Sequence, residues 1–181
     1  NEKSFGERSI PSYKFSEAKL IVGVGCDFLG TWVSPVDFAS DYAKGRKVSK
    51  EKPTMSRHIQ IESSLTITGA SADSRVVVKP SEEATALADL YNAINGGAAS
   101  NPKIGKVAQE LLAKKGASIV VSGSNDENVQ LLTNAINAAL GNYGSTISFS
   151  SSYNTKLGSE KSASALLEGL KTGAYKGIVV Y

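Results

Sequence analysis

One stretch near the start of the chain constrains the fold more than any other. It spans residues 20–32 and consists of a short apolar run followed by a turn rich in glycine. An apolar run of this length between glycines is typical of a fully buried strand. Gly23, Gly25 and Gly30 allow the backbone to turn sharply and to approach whatever lies above the sheet. We therefore predict a strand over 19–24 that ends in a tight loop.

A helix is predicted immediately after this loop. Ser34 is suited to cap it, Pro35 suits its first turn, and Asp37 stands at the capping-box position. The helix is expected over 35–45. A strand, a glycine-rich turn and a helix form the unit in which open α/β sheets bind nucleotides. The spacing G-x-G-x-x-x-x-G is neither the dinucleotide fingerprint nor a P-loop, so a tight turn without a ligand is the alternative.

Strand-like and helix-like patterns alternate along the rest of the chain. Further strands are predicted at 58–62, 75–79, 118–122, 146–150 and 177–181. Helices are predicted from Ser81 to the glycines at 96–97, from Asn101 to Gly116, after Asn125 up to Gly141, and over 163–170. This alternation implies right-handed crossovers. The expected fold class is α/β, with a Rossmann-like, mostly parallel sheet of about five or six strands and helices on both faces.

The chain of 181 residues is long enough to bury a substantial core as one unit. Residues 1–15 are predicted to be an approach segment, 16–97 the first βα units, and 98–181 a second set that is truncated at the C-terminus. The chain begins at Asn1, has its only methionine at Met55 and finishes on an apolar run. Both ends look cut, and we expect a piece of a longer protein.

Composition narrows the classes of function. The net charge of +3 is too small to indicate a nucleic-acid partner, and the basic cluster at 44–52 is expected to be a solvated loop. No segment approaches the apolar length of a membrane span, so no direct membrane insertion is expected. The single cysteine, Cys26, allows neither an internal disulfide nor a metal–cysteine cluster.

Candidate catalytic groups are few. His58 is the only histidine, and without an orienting partner in sequence it is expected to be structural. Cys26 lies in the glycine turn near a helix start, where a thiolate is favoured, but a small buried thiol is the expected state. No catalytic residue and no metal site are predicted, so the sequence does not favour an autonomous enzyme.

Two acidic residues bear on nucleotide binding. Glu62 ends the second predicted strand, where nucleotide-binding folds place an acid for ribose hydroxyls or a guanine edge. It lies further from the glycines than the roughly 20 residues usual in Rossmann units, so an ordinary strand-end carboxylate is the alternative. Asp27 places a negative charge where a pyrophosphate would sit, and a phosphate site normally offers amides and positive charge there. Asp27 therefore argues against a bound diphosphate.

Five segments occur in an order that resembles a known superfamily. They are VGVGCDF at 22–28, IQIESS at 59–64, TGASAD at 68–73, KPSEE at 79–83 and AINAALGNYG at 135–144. They stand where the molybdopterin oxidoreductase (dimethyl-sulfoxide-reductase-like) superfamily has Gly-x-Asn-Pro, Asp-Pro-Arg, Thr-x-x-Ala-Asp, Arg-Pro-Gly-Thr-Asp and Asn-x-x-Leu-Gly-Asn-x-Gly. The resemblance covers residues 16–181 and is to the central nucleotide-binding region of that superfamily.

Segments 27–35, 55–58 and 65–70 are similar, more narrowly, to the molybdopterin-oxidoreductase-like iron–sulfur subunit of bacterial alternative complex III, a quinol:electron-acceptor oxidoreductase. This resemblance implies a parent protein at the periplasmic face of the bacterial inner membrane. It implies iron–sulfur clusters elsewhere in that parent, and contacts with other domains and subunits of a membrane-associated respiratory complex. It also implies a molybdopterin-type domain without a molybdenum cofactor.

Two departures from the superfamily motifs concern the cofactor. Asp27-Phe28 replaces Asn-Pro, and Glu62-Ser63-Ser64 replaces Asp-Pro-Arg, so an amide and a guanidinium are lost. We expect that the chain has kept the fold of the superfamily and has lost its cofactor. The vestigial cofactor-binding positions are Gly25, Asp27, Gly30, Glu62 and Asp73. The alternative is a fragment of an active molybdenum oxidoreductase that binds part of a molybdopterin guanine dinucleotide through the same residues.

Overall fold

A computed structural model describes residues 1–6, 8–153 and 160–179. The strands are β1 (Ile10–Tyr13), β2 (Leu20–Val24), β3 (Arg57–Glu62), β4 (Ser74–Val77), β5 (Ser118–Ser122) and β6 (Ile147–Tyr153). The helices are α1 (Glu2–Phe5), α2 (Pro35–Arg46), α3 (Ile67–Ala70), α4 (Glu83–Ile94), α5 (Pro102–Leu112), α6 (Glu127–Ala139) and α7 (Glu160–Lys171), with a 3-10 turn at Pro80–Glu82. Four strands form a parallel sheet in the order β4-β3-β2-β5, and β1 pairs antiparallel with β6 in a separate sheet.

The parallel sheet separates two hydrophobic cores. Successive side chains of a strand point to opposite faces, so neighbours such as Ile21 and Val22 of β2 enter different cores. On one face Val22 packs with buried residues of α4, α5 and α6, among them Leu87, Leu111 and Ile136. This arrangement places three helices on one side of the sheet.

The second core is aromatic. Phe15, Phe28 and Phe38 are fully buried or nearly so, and they pack with Ile21 and Ile119 of the sheet. The rings of Phe15 and Phe28 stack with their centroids 4.5 Å apart, and Phe38 brings α2 onto this face. The sheet therefore has helices on both faces, and the α/β class with a parallel sheet is confirmed.

The sheet differs from the expectation at its margins. Within the described residues it has four strands, whereas about five or six were expected. The segment predicted at 146–150 forms β6, which pairs with β1 of the approach segment 1–15 and not with the parallel strands. Of the strand predicted at 177–181, residues 177–179 have no regular structure, and 180–181 lie outside the described residues.

Side chains cover the outer edge of β5, where no further strand joins within the described ranges. The amide group of Asn137 on α6 accepts from the Val120 N–H at 3.1 Å and donates to the Val120 carbonyl at 2.8 Å. Thr146 donates to the Ser118 carbonyl at 2.6 Å, and Gln130 donates to that of Ser122 at 3.1 Å. These groups take the place of a neighbouring strand, and such covering protects an edge from further pairing.

One predicted helix start and one predicted capping contact need correction. Ser81 lies within the 3-10 turn, and α4 begins at Glu83, because the Glu82 carboxylate accepts from the Lys79 amide at 3.1 Å and tightens this turn. Ser34 does precede α2, with Pro35 in its first turn, but its side chain makes no capping hydrogen bond. The Asp37 carboxylate instead accepts a hydrogen bond from the Tyr153 hydroxyl of β6.

Candidate functional site

The candidate site lies where β2 and β5 end. Because β3 and β5 flank β2 on opposite sides, the connections diverge at this point, and open α/β sheets bind ligands in such a crevice. The two loops approach closely, since a Cβ atom at Gly123 would overlap the carbonyl oxygen of Gly25. Gly25 has a φ of 55°, a left-handed conformation that glycine adopts readily. Backbone contact thus fixes the base of the site.

Asp27 organises the loop after β2. Its backbone carbonyl accepts hydrogen bonds from the amides of residues 30–32, at 3.2, 2.9 and 3.0 Å. Its Oδ1 atom accepts from the amide and the hydroxyl of Thr68, at 3.2 and 2.7 Å. The Thr68 hydroxyl oxygen in turn accepts from the Leu29 amide at 2.9 Å. The amides of residues 29–32 therefore all donate to protein atoms.

A second carboxylate, that of Glu83, lies against Gly25. Glu83 begins α4, and its Oε1 accepts from the Ser63 amide at 3.2 Å. A Cβ atom at Gly25 would overlap the other oxygen of this carboxylate. The glycine at position 25 therefore makes room for a glutamate of the same chain, and the loop carries acidic groups from two elements.

Glu62 ends β3 with only 2% of its side chain exposed. Its Oε1 forms an ion pair with Nε of Arg75 on β4 at 2.7 Å. Its Oε2 accepts from the Thr66 hydroxyl at 2.7 Å and lies 3.5 Å from Nε2 of Gln60. Both oxygens are thus occupied by protein groups, and neither is presented to a ribose or a guanine.

Asp73 lies at the other end of the sheet. It precedes β4, and its carboxylate pairs with Arg46 of α2 at 2.7 and 2.9 Å and accepts from the His58 amide at 2.8 Å. The hydrogen bond from Arg46 holds the pKa of Asp73 down at about 2. Because β3 is roughly 17 Å long at about 3.3 Å per residue, Asp73 is remote from Glu62. The structure brings the other four predicted positions to the carboxyl end and leaves Asp73 apart.

His58 and Cys26 are both buried. The Tyr42 hydroxyl lies 3.0 Å from Nδ1 of His58, and Oε1 of Gln60 lies 3.3 Å from Nε2, so both ring nitrogens have protein partners. Burial lowers the pKa of His58 to about 4 and leaves the imidazole neutral at pH 7. Burial, with the Asp27 charge as a smaller cause, raises the pKa of the Cys26 thiol well above its ordinary value. Neither group is prepared for nucleophilic or acid–base chemistry.

The sequence did not single out the side chains that hold the predicted acidic residues, which are Thr68, Arg75, Gln60 and Arg46. It also did not single out Glu83, the second carboxylate beside the loop. One signal was present: Thr66 stands three residues before Gly69, and its hydroxyl oxygen accepts from that amide at 2.9 Å to cap α3. This cap places a short helix in the connection between β3 and β4. Which carboxylates the helix then contacts depends on residues about 40 positions away, as with Asp27 and Thr68.

No group of three or more His, Cys, Asp or Glu side chains is placed to hold a metal ion within the described part of the chain. In the same ranges, 1–6, 8–153 and 160–179, no helix combines the length and the apolar character that a membrane crossing needs. The chain matches no model of a known protein family, and a search of curated proteins gives no significant match.

Proposed function

We propose that this chain is a molybdopterin-oxidoreductase-like domain that has lost its cofactor and serves as a scaffold. Its parent would be the iron–sulfur subunit of a bacterial respiratory quinol oxidoreductase at the periplasmic face of the inner membrane, with iron–sulfur clusters elsewhere. Its partners would be the other domains and subunits of that complex. The observation that carries the proposal is that Asp27 and Thr68 accept the hydrogen bonds of the loop amides that a diphosphate would need.

The amides are the first support. A diphosphate at such a turn is held chiefly by free backbone N–H groups and by the helix N-terminus behind them. Here the amides of residues 29–32 donate to Asp27 and Thr68. At α2 the first-turn residue is Pro35, which has no N–H, and Asp37 adds a negative charge to the same turn. A cofactor would have to break several hydrogen bonds in order to enter.

The charges are the second support. Two like unit charges about 4 Å apart repel by about 1 kcal/mol in water and by about 4 kcal/mol near a protein surface. Asp27 and Glu83 both flank the loop, and a diphosphate carries at least two negative charges. This repulsion exceeds the roughly 1 kcal/mol that a typical hydrogen bond contributes. The residues present therefore do not fit the diphosphate of a pterin dinucleotide.

The third support is that the same acidic groups connect the framework. Asp27 joins the loop after β2 to α3, and Glu62 joins β3 to β4 through Arg75. Gln60 crosses over Gly23 of β2 and donates to the Cys26 carbonyl at 3.0 Å. Buried polar networks whose members are satisfied rigidify a core. Residues at the former cofactor positions thus stabilise the architecture.

The test is cofactor analysis of the full-length parent, purified with its partner subunits. Molybdenum is measured by mass spectrometry, pterin by fluorescence after oxidation, and guanine nucleotide after acid hydrolysis. We expect none of the three in stoichiometric amount while iron is retained. Stoichiometric molybdenum in a preparation that oxidises quinol would overturn the proposal and favour the alternative, a fragment of an active molybdenum oxidoreductase that binds part of a molybdopterin guanine dinucleotide.

The scaffold role has its own test in the same complex. Arg75→Ala breaks the buried pair with Glu62, and Arg57→Ala breaks an exposed pair with Glu110, so they form a matched set. We expect Arg75→Ala to lower the yield of assembled complex and to leave the turnover of each assembled complex unchanged. A lower turnover per assembled complex would show that this domain takes part in the chemistry.

A further inference from the structure

A concave cleft of about 570 Å³ lies at the switch point, beside the loop that Asp27 organises. Its lining includes Tyr13 of β1, Asp27 and Trp32 of the loop, Asn125 before α6 and Gln130 on that helix. A volume of this size falls in the range of small-molecule sites, roughly 300 to 1,000 Å³. None of its described lining residues is a lysine or an arginine.

Asp27 gives this cleft a negative charge that no described lysine or arginine pairs with. Oδ1 is held by Thr68, whereas Oδ2 has no hydrogen-bond partner among the described residues. Within the same residues no lysine or arginine forms an ion pair with Asp27. A half-buried carboxylate that no described cation neutralises attracts a cationic ligand, and by the same Coulomb interaction it repels a phosphate.

Two aromatic side chains line the same cleft as this carboxylate. The rings of Trp32 and Tyr13 have centroids 5.0 Å apart and are tilted by 53°. Neither the indole N–H nor the Tyr13 hydroxyl is hydrogen-bonded to a described residue. An organic cation over an aromatic ring gains about 0.5 to 2 kcal/mol, and aromatic walls next to a carboxylate are a recurring way to recognise ammonium groups.

The backbone at the rim of the cleft is strained. Val33 has a φ of 51°, and among the described residues it is the only non-glycine residue with a positive φ. Such a conformation is unusual for a β-branched residue and costs about 1 to 3 kcal/mol. Strain of this kind persists where neighbouring contacts impose it, and it clusters at ligand clamps. Val33 lines the cleft and follows Trp32 directly.

We propose that this cleft binds a small organic cation of the ammonium class, with Oδ2 of Asp27 as its counter-ion and Trp32 and Tyr13 as aromatic walls. This binding activity goes beyond the scaffold role. Its ligand is a cation, whereas a nucleotide or a pterin dinucleotide carries negative charge on its phosphates. The neutral side chains of Asn125 and Gln130 also line the cleft, and the NH2 group of Gln130 already donates to the carbonyls of Ser122 and Ser124.

The experiment uses choline as the probe and the fluorescence of Trp32, the only tryptophan of the chain, as the signal. The uncharged carbon isostere of choline, dimethylbutanol, controls for apolar binding, and GDP is titrated in parallel. We expect a saturable change with choline and none with the other two. A response to dimethylbutanol equal to that of choline would overturn the inference.

The decisive variant is Asp27→Asn. Asparagine keeps an Oδ1 acceptor for Thr68, so the loop is preserved while the charge is removed. Asp37→Asn removes an equal charge from a residue outside the cleft lining. We expect choline affinity to fall about tenfold or more in the first variant and less than about twofold in the second.

Each remaining outcome has a definite meaning. Equal affinity in Asp27→Asn and the unmodified chain, or no saturable response to choline, overturns the cation site. Either result leaves the scaffold proposal standing, because that proposal depends on the exclusion of diphosphate. GDP binding at the cleft would overturn the scaffold proposal as well, so the two failures are distinguishable.

Discussion

The clefts at the two ends of the parallel sheet differ in the charged side chains that line them. The carboxyl end holds the acidic side chains of Asp27, Glu62 and Glu83 around the glycine loops. At the amino end the lining of a cleft of about 620 Å³ includes one acidic residue, Glu17, and four basic residues: Lys19, Lys52, Arg57 and Lys114. The fold offers its ligand crevice at the carboxyl end, whereas the cations that a phosphate needs lie at the amino end. Backbone topology thus provides a crevice at one end of the sheet, and the side chains around it are not suited to an anion.

Two ion pairs, one from each end of the sheet, differ in burial. The pair of Glu62 and Arg75 has side chains that are 2% and 28% exposed, and the pair of Arg57 and Glu110 has side chains that are 45% and 38% exposed. The ion-pair distances are nearly equal, 2.7 and 2.6 Å. The comparison therefore isolates the effect of solvent on an otherwise similar contact.

The largest expected effect on the free energy of unfolding comes from breaking these two ion pairs in turn. Arg75→Ala leaves the buried Glu62 without its cation and should lower the free energy of unfolding by about 3 kcal/mol. Arg57→Ala removes a solvated contact and should cost less than about 1 kcal/mol. Urea denaturation followed by circular dichroism measures both. Equal losses in the two variants would show that burial does not distinguish the ends of the sheet.

The next effect concerns His58, a neutral group buried where β3 begins at the basic end. Its folded pKa of about 4 lies below the unfolded value of about 6.5, so between these values only the unfolded chain binds the proton. Stability should therefore be constant above about pH 6.5 and fall as the pH decreases toward 4, by about 2 kcal/mol at pH 5.

The control for this pH dependence is His58→Gln, which has no titrating group at that position. Its free energy of unfolding should vary little between pH 7 and pH 5, whatever its absolute stability. Asp73, with a pKa of about 2, loses its contribution only below its ordinary value and so acts outside this window. A slope that survives in His58→Gln would assign the pH dependence to other groups.

A third prediction probes the close approach of the loops at the carboxyl end. Gly123→Ala forces a methyl group into the carbonyl oxygen of Gly25, and overpacking of this kind costs about 2 kcal/mol. Gly105→Ala on α5 would contact only the Cβ atom of Ala99, at 3.4 Å, and should stabilise the chain by about 0.5 kcal/mol through helix propensity. Thermal denaturation of both variants should give shifts of opposite sign. A neutral Gly123→Ala would mean that the loops are free to separate.

The smallest effect is expected at the basic end. Lys114 lines the same cleft as Lys19 and Lys52 and forms no ion pair with a described residue. Lys114→Gln should relieve repulsion and raise the free energy of unfolding by about 0.3 kcal/mol at low salt, with no difference at high salt. Lys171→Gln removes a paired lysine and should not show this gain. A gain that persists in high salt would have a cause other than charge.

Much of the fold followed from local pattern. The strands at 20–24, 118–122 and close to 58–62, and the helix after Asn101, were predicted because apolar periodicity and caps act within a few residues. Asn101 caps α5 as expected, with its Oδ1 accepting from the Lys103 amide at 2.9 Å. The pairing of β1 with β6 was not predicted, because it joins residues some 140 positions apart.

For the candidate site, what the sequence determined and what the tertiary structure decided are easier to separate. The sequence by itself determined that glycines and acidic residues occupy the loops after β2 and β3, since these depend on residue type and spacing. Only the tertiary structure decided the role of each carboxylate. Asp27 accepts a hydrogen bond from Thr68, and Glu62 forms an ion pair with Arg75. Asp73 forms an ion pair with Arg46 at the far end of the sheet. The physical reason is that a carboxylate takes its role from the donors around it, and long-range packing supplies those donors.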